Sequence, residues 1–449
     1  MNHNIMILKY GLTLASMISS LGAQAYFTSI FQQNSGFRSA RTMSLGMSGV
    51  ATSAGIENVW TNPALLSTNE KRLSITAIGS LRRFEEKRSF PVMDMFDDVV
   101  TDNVYVANRY WYNNLEGGMV LKLRKNNYLG LSKSTFWDFT YDYAEEVRGS
   151  LPSGTYNRDP VRGYNEIHRG GQITAYSIGM SQTVFSQIKI GITANILKGE
   201  SMVDRYAINV LEPDEALASD SSYTFSSDVS LAETTVMPTF GISYQPNRQY
   251  QIGFSYQKGV DLSFNNVWTI PKINERTQLP GFHHPSVWDS TGQVTISLPA
   301  KMSIGVEAKM KNPLKTKAVF ELHYTDWSKY KLTTESTLDT SLTQSEMNFS
   351  FKEAWEIHGG IEHYFQEQIP FRFGFIFSES PLGQEFERIQ ITLGSAYVWG
   401  KATFDFGIIF GSLSYRYEDI FPAMADETID LETVNESSSS VKFSIQYDF

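Results

Sequence analysis

His323, Asp326 and Ser328 are the nearest thing in this chain to a hydrolytic constellation: a base, an acid and a hydroxyl in one short stretch. Nucleophilic catalysis would need the histidine to take the serine proton and the carboxylate to hold the imidazole. The alternation around them argues for a strand, and a period of two sends His323 and Thr325 to one face and Tyr324 and Asp326 to the other. That geometry disfavours a dyad within the strand, and His323 reads as an inward residue satisfied by its neighbours. His283 and His284 have the chemistry of metal ligands, but only Asp289 lies near them in sequence, and solvated loop histidines account for the pair. Carboxylates cluster at Glu212, Asp214, Glu215, Asp220 and Asp228, and again at Asp426, Glu427, Asp430, Glu432 and Glu436. Neither cluster has the twelve-residue ligand spacing of a calcium loop, so both read as a solvated, self-repelling outer face. There is no G-x-S-x-G elbow, no H-E-x-x-H, no Walker loop and no G-x-G-x-x-G. The expectation is a protein without catalytic residues, metal or cofactor.

Residues 44–66, SLGMSGVATSAGIENVWTNPALL, promise mechanical work instead. Gly46, Gly49 and Gly55, with Ala51, Ser53 and Ala54 between them, permit tight turns and close backbone approach but supply little side chain for a core. Pro63 pushes Asn62 toward an extended or turn conformation and can open a single helical turn through Leu66. Such a stretch reads as a compact insert that something larger must surround.

Those small residues, followed by a polar turn and Asn62-Pro63-Ala64, resemble the amino-terminal hatch of the FadL/TodX family of outer-membrane channels for hydrophobic compounds. Phe320 to Tyr330, ending in a Trp327-Ser328 pair, resembles a strand of the same family. The resemblance implies a lumen plugged by residues 26–70, with Asn62, Pro63 and Ala64 anchoring the gate. It also implies uptake of long-chain fatty acids or aromatic hydrocarbons by diffusion. On that reading Phe90, Met93 and Phe96, with Val92 and Met95, are candidates for an outer landing site. Tyr26, Phe27 and Phe31 are candidates for contacts in an apolar pocket. Residues 39–49 also resemble the start of PorV, a barrel that serves as a protein-binding shuttle in secretion, which keeps a second function open.

The rest of the chain is consistent with a wall around such an insert. Its 449 residues contain no cysteine, which excludes disulfide frameworks, thiol catalysis and cysteine zinc sites. A net charge of −10 argues against nucleic-acid binding, which needs a basic face to replace phosphate counterions. Residues 1–25 read as a secretory signal peptide: one charge at Lys9, an apolar run from Tyr10 to Leu21, and Ala23-Gln24-Ala25 for cleavage. Beyond it no run is long and apolar enough for a spanning helix, whereas alternating strands leave only a weak hydropathy trace.

From Lys71 the period is two, and we predict about fourteen strands in residues 71–449, with short turns and long polar excursions in strict alternation. The fold class is therefore all-β, a transmembrane antiparallel barrel of about fourteen strands with a small hatch in its lumen. Residues 83–114 are expected to form a long excursion with a short amphipathic helix, and residues 144–171, 271–292 and 418–439 to form further loops. The last strand, 441–449, ends in phenylalanine and resembles the signal read by the barrel assembly machinery. Outer-membrane lipid and a hydrophobic ligand complete the expected partners.

Overall fold

The computed structural model describes residues 37–52, 55–96, 98–148, 161–199, 202–210, 223–269, 289–336, 343–348, 351–366, 369–417 and 432–449. Fourteen antiparallel strands close into a barrel. Along the chain these are β1 (Leu73–Met93), β2 (Val99–Arg124), β3 (Asn127–Asp138), β6 (Gln172–Phe185), β7 (Ile188–Gly199), β10 (Thr235–Tyr244) and β11 (Tyr250–Gln257). The circuit continues with β14 (Lys301–Lys309), β15 (Lys317–Thr325), β18 (Ala354–Gln366), β19 (Ile369–Ser378), β20 (Arg388–Trp399), β21 (Ala402–Tyr417) and β22 (Glu432–Asp448). Closure comes from β1 pairing with β22, from Ser74 opposite Asp448 to Ser89 opposite Thr433. A closed wall leaves no unpaired strand edge, which in lipid would cost several kcal/mol for each exposed backbone group.

Which side chains face out is inverted relative to a water-soluble protein. Phe240, Ile242, Ile252, Phe254, Phe373 and Phe375 are exposed, while Thr239, Ser243, Ser255, Glu321 and Arg372 between and beside them are buried. Exposed apolar residues on every second position, with polar ones turned inward, suit a wall with lipid outside and a polar lumen inside.

Eight further strands form a second sheet: β4 (Tyr141–Arg148), β5 (Val161–Gly170), β8 (Met202–Val210), β9 (Tyr223–Leu231), β12 (Val260–Thr269), β13 (Asp289–Leu298), β16 (Lys331–Ser336) and β17 (Thr343–Asn348). Their spatial order, β4-β5-β8-β9-β12-β13-β16-β17, repeats that of the barrel strands they adjoin in sequence, β3-β6-β7-β10-β11-β14-β15-β18. The second sheet is thus the same wall prolonged past a row of interruptions, among them Phe139-Thr140, Gly171, Lys258-Gly259, Pro299-Ala300 and residues 326–330.

Several expectations are corrected here. Residues 83–114 are not a loop with a helix: β1 and β2 run as one long hairpin, closed at its end where Asp94 N donates to Asp98 O at 2.9 Å. The polar residues that hid it, Arg83, Glu85, Glu86, Lys87 and Arg88, are strand residues paired in ladders on both sides. Parts of the supposed excursions 144–171 and 418–439 are likewise strands, including the serine run Ser437–Ser440 inside β22. Residues 188–210, 250–268, 294–310 and 317–332, each of which reads from its alternation as one long strand, divide between the two sheets. Period two survives such a break, so the pattern could not reveal it.

Candidate functional site

Residues 37–52 and 55–69 pack against inward-facing residues of the barrel strands, and short-range chemistry shapes them. Ser39 caps α1 (Ala40–Ser44), its hydroxyl accepting from Thr42 N at 3.3 Å. Gly46 and Met47 follow with φ of 67° and 61°. A side chain on Gly46 would also run into the carbonyl oxygen of Gly359 in the wall. A second short helix, α2 (Asn58–Thr61), ends at Asn62, which caps the 3-10 turn Pro63–Thr68 by accepting from Ala64 N at 3.2 Å, with Pro63 at its first position.

Asn62 does more than cap. Its Nδ2 donates to Val50 O at 2.7 Å within the segment and to Ile242 O in β10 at 3.1 Å. Further bonds tie the segment to the wall around most of its circumference. Ser181 Oγ donates to Ala64 O (2.9 Å), Gln251 Nε2 to Ala51 O (2.7 Å), Gly46 N to Thr392 Oγ1 (3.1 Å) and Ala40 N to Ser444 Oγ (3.1 Å). Arg41 reaches the buried Glu362 at 3.5 Å, and Glu362 is also held by Lys317 and Arg372.

The seat is cut from glycine. Gly130 faces Gly179, Gly191 faces Gly241, Gly253 faces Gly305, Gly360 faces Gly374 and Gly394 faces Gly407 across neighbouring strands. At Gly241 a Cβ would collide with the Asn62 side chain, and at Gly253 with the Val50 carbonyl. The wall approaches the segment closely only because those side chains are missing. Sequence reading found the small residues of the insert but not this matching belt, although the glycines recur at one depth of successive strands.

Beside this seat a cavity of about 270 Å³ opens between Arg38, Met43 and Met47 of the segment and the surrounding strands. Its walls mix charged groups (Arg82, Lys301, Glu356, Arg388) with apolar ones (Phe136, Trp137, Trp327, Ile376). Beside it runs a buried apolar cluster. Trp60 of the segment packs on Phe136 at 5.8 Å between ring centroids, Trp137 on Phe139 at 5.0 Å and Phe139 on Phe264 of the second sheet at 6.5 Å. Phe37, Leu262 and Ile296 belong to the same cluster.

The hydrolytic suspects are not brought together. His323 is buried with Nδ1 at 2.7 Å from Ser303 Oγ, whereas Ser328 Oγ donates to Asp326 Oδ1 at 2.5 Å in a turn. The Ser328 hydroxyl and Lys329 hold the Asp326 carboxyl below its ordinary range. His323 is also not fully satisfied, contrary to expectation, because its Nε2 has no hydrogen-bond partner. Phe90 and Phe96 are exposed on the β1–β2 hairpin, Phe90 with its ring 5.9 Å from Tyr105, and Met93 ends β1. Tyr26, Phe27, Phe31, His283 and His284 lie outside the described residues.

Residues 172–406 match the profile of a family described as outer membrane protein transport protein (OMPP1/FadL/TodX). A 182-residue stretch is 24% identical to a long-chain fatty acid transport protein of Salmonella typhi, covering 38% of this chain and 41% of that relative. The toluene transporter TodX of P. putida superposes with a TM-score of 0.61 at 12% identity, over 93% of this chain and 99% of its own. A FadL homologue of Pseudomonas aeruginosa gives 0.60 at 13% identity, over 92% and 98%. At such identities the structural likeness speaks for the fold.

Proposed function

The chain belongs to the OMPP1/FadL/TodX family of outer membrane transport proteins, and from that premise we propose that it carries hydrophobic small molecules across the outer membrane by diffusion through its barrel. Long-chain fatty acids or monoaromatic hydrocarbons are the substrate class, by analogy with the relatives. The observation that carries the reading is the cavity of about 270 Å³ beside the amino-terminal segment, whose lining includes Phe136, Trp137, Trp327 and Ile376. Those side chains offer an apolar solute an alternative to water, and apolar transfer is favourable by about 25 cal/mol per Å².

In this proposal residues 26–70 act as a hatch, anchored by Asn62, Pro63 and Ala64. Phe90, Met93 and Phe96 gather ligand at the outer hairpin, and Tyr26, Phe27 and Phe31 meet it in the lumen. Residues 1–25 are a leader removed on export, and the terminal strand ending in Phe449 is read by the barrel assembly machinery before the apolar belt meets lipid. A protein-binding role of the PorV kind is the second reading, with the eight-stranded sheet that prolongs the wall as the surface that would hold a partner.

Mass spectrometry of small molecules extracted from detergent-purified protein tests the choice. We expect a hydrophobic acid or hydrocarbon in the intact protein, and its loss when residues 26–69 are deleted. An empty lumen together with a bound secreted protein would overturn transport in favour of the shuttle.

A further inference from the structure

We propose that Glu321, His323 and His358 form a binding site for one first-row divalent cation of the zinc class, set in the lumen wall against the amino-terminal segment. Strands β15 and β18 are neighbours, with Glu321 opposite His358 and His323 opposite Glu356. All three proposed ligands point inward and are almost wholly buried, at 0%, 2% and 6% exposure. Their ligand atoms lie within 4.8 Å of one another, and the two imidazole rings are 4.3 Å apart between centroids.

What singles the cluster out is unspent bonding capacity. Glu321 Oε2, His323 Nε2 and both ring nitrogens of His358 make no well-formed hydrogen bond; the nearest contacts, His323 Nε2 to Glu321 Oε2 and His358 Nε2 to Glu356 Oε2, are both long at 3.4 Å and leave His358 Nδ1 free. Buried polar atoms are normally paired, because leaving them unpaired forfeits their hydration. The remaining atoms are already engaged in ways that aim the free ones. Ser303 Oγ sits 2.7 Å from His323 Nδ1, which orients the ring and leaves Nε2 as the donor atom. Glu321 Oε1 accepts from Val50 N at 2.7 Å and Ala51 N at 3.2 Å, leaving Oε2 free.

Zinc binds imidazole nitrogen and carboxylate oxygen at about 2.0–2.2 Å, so its ligands stand roughly 3.4 Å apart, within reach of small side-chain rotations here. Two imidazoles and one carboxylate suit zinc, cobalt, nickel or copper, whereas calcium and magnesium want oxygen. The nearby cations are occupied elsewhere: Lys301 bonds Glu356 at 2.8 Å, and Arg38 donates to the Met47 and Phe37 carbonyls. Both imidazoles line the cavity, so a fourth coordination position faces solvent or ligand. An occupied site would run against the sequence-based expectation of no metal, since strand pairing is what brings His358 to Glu321 and His323. One consequence rests on the hatch reading above: Glu321 would hold metal through one oxygen and the hatch backbone through the other, so occupancy would stiffen the gate.

The test is titration of metal-stripped, detergent-solubilised full-length protein with Zn²⁺ by calorimetry, with Co²⁺ absorption as a spectroscopic signature. We expect one Zn²⁺ per chain and ligand-field bands from Co²⁺. The double variant H323Q/H358Q should weaken binding more than about 100-fold, the upper range for losing only an outer-shell partner, and Ser303→Ala about tenfold. His168→Gln, at an exposed histidine beside Asp142, should change nothing. Absence of stoichiometric Zn²⁺ binding by the unmodified protein would overturn the site, whether or not the double variant folds. So would binding unchanged in a folded double variant, with folding judged by heat-modifiable gel migration. Uptake plays no part in these readouts, so failure of the metal site and failure of the transport reading are separable.

Discussion

Gly253 shows how much a single missing side chain decides. It pairs with Gly305, and any Cβ at Gly253 would collide with the carbonyl of Val50. Overpacking against backbone costs about 1–3 kcal/mol or more, because the neighbour cannot rotate away. Gly253→Val should therefore displace the amino-terminal segment while the barrel still folds, raising single-channel conductance in planar bilayers. Gly79→Ala is the control, since a Cβ there meets nothing within 4 Å. Equal conductance in both would rule out the glycine seat. Asn62 was legible as a turn former from Pro63 alone. Its bond to Ile242 O was not, because nothing local places residue 242 beside residue 62.

At the level of elements, residues of β12 and β13, beyond the row of interruptions, join the cluster around Trp60. Leu262, Phe264 and Ile296 are fully buried there. Phe264→Ala should cost about 3–5 kcal/mol, and the loss should fall on the outer sheet, since the barrel ladders below it do not depend on that ring. Hydrogen exchange would then accelerate in β12 and β13 and stay unchanged in β10 and β11. Uniform acceleration across both sheets would mean that they unfold as one unit. The second sheet was hidden in the sequence for a physical reason. β5, β9 and β17 are polar and carry the composition of loops, whereas β8, β12, β13 and β16 only continue the alternation of the barrel strands next to them in the chain.

Over the whole molecule, lipid takes the place of water as the solvent, and the exposed side of each barrel strand records it. Phe373 sits in β19 between Ile361 and Leu393 on the outer face, while its neighbour Arg372 is buried inside against Glu362 and Asp405. Phe373→Arg should destabilise the barrel by about 2–4 kcal/mol if it lies near the bilayer midplane, measured by equilibrium folding into lipid vesicles. A change under about 1 kcal/mol would place it near an interface instead.

The sequence by itself determined the alternation of the wall, the strand number of the barrel and the small-residue insert ahead of it. Each depends on local pattern: a period of two, turn residues, or a proline after an asparagine. Only the tertiary structure decided that polar excursions prolong the wall as a second sheet. The same holds for the glycines that meet to admit the insert, and for Glu321, His323 and His358 sharing one buried corner. Those features arise from pairing between strands, where the partner of a residue is set by register and closure rather than by the residues beside it in the chain.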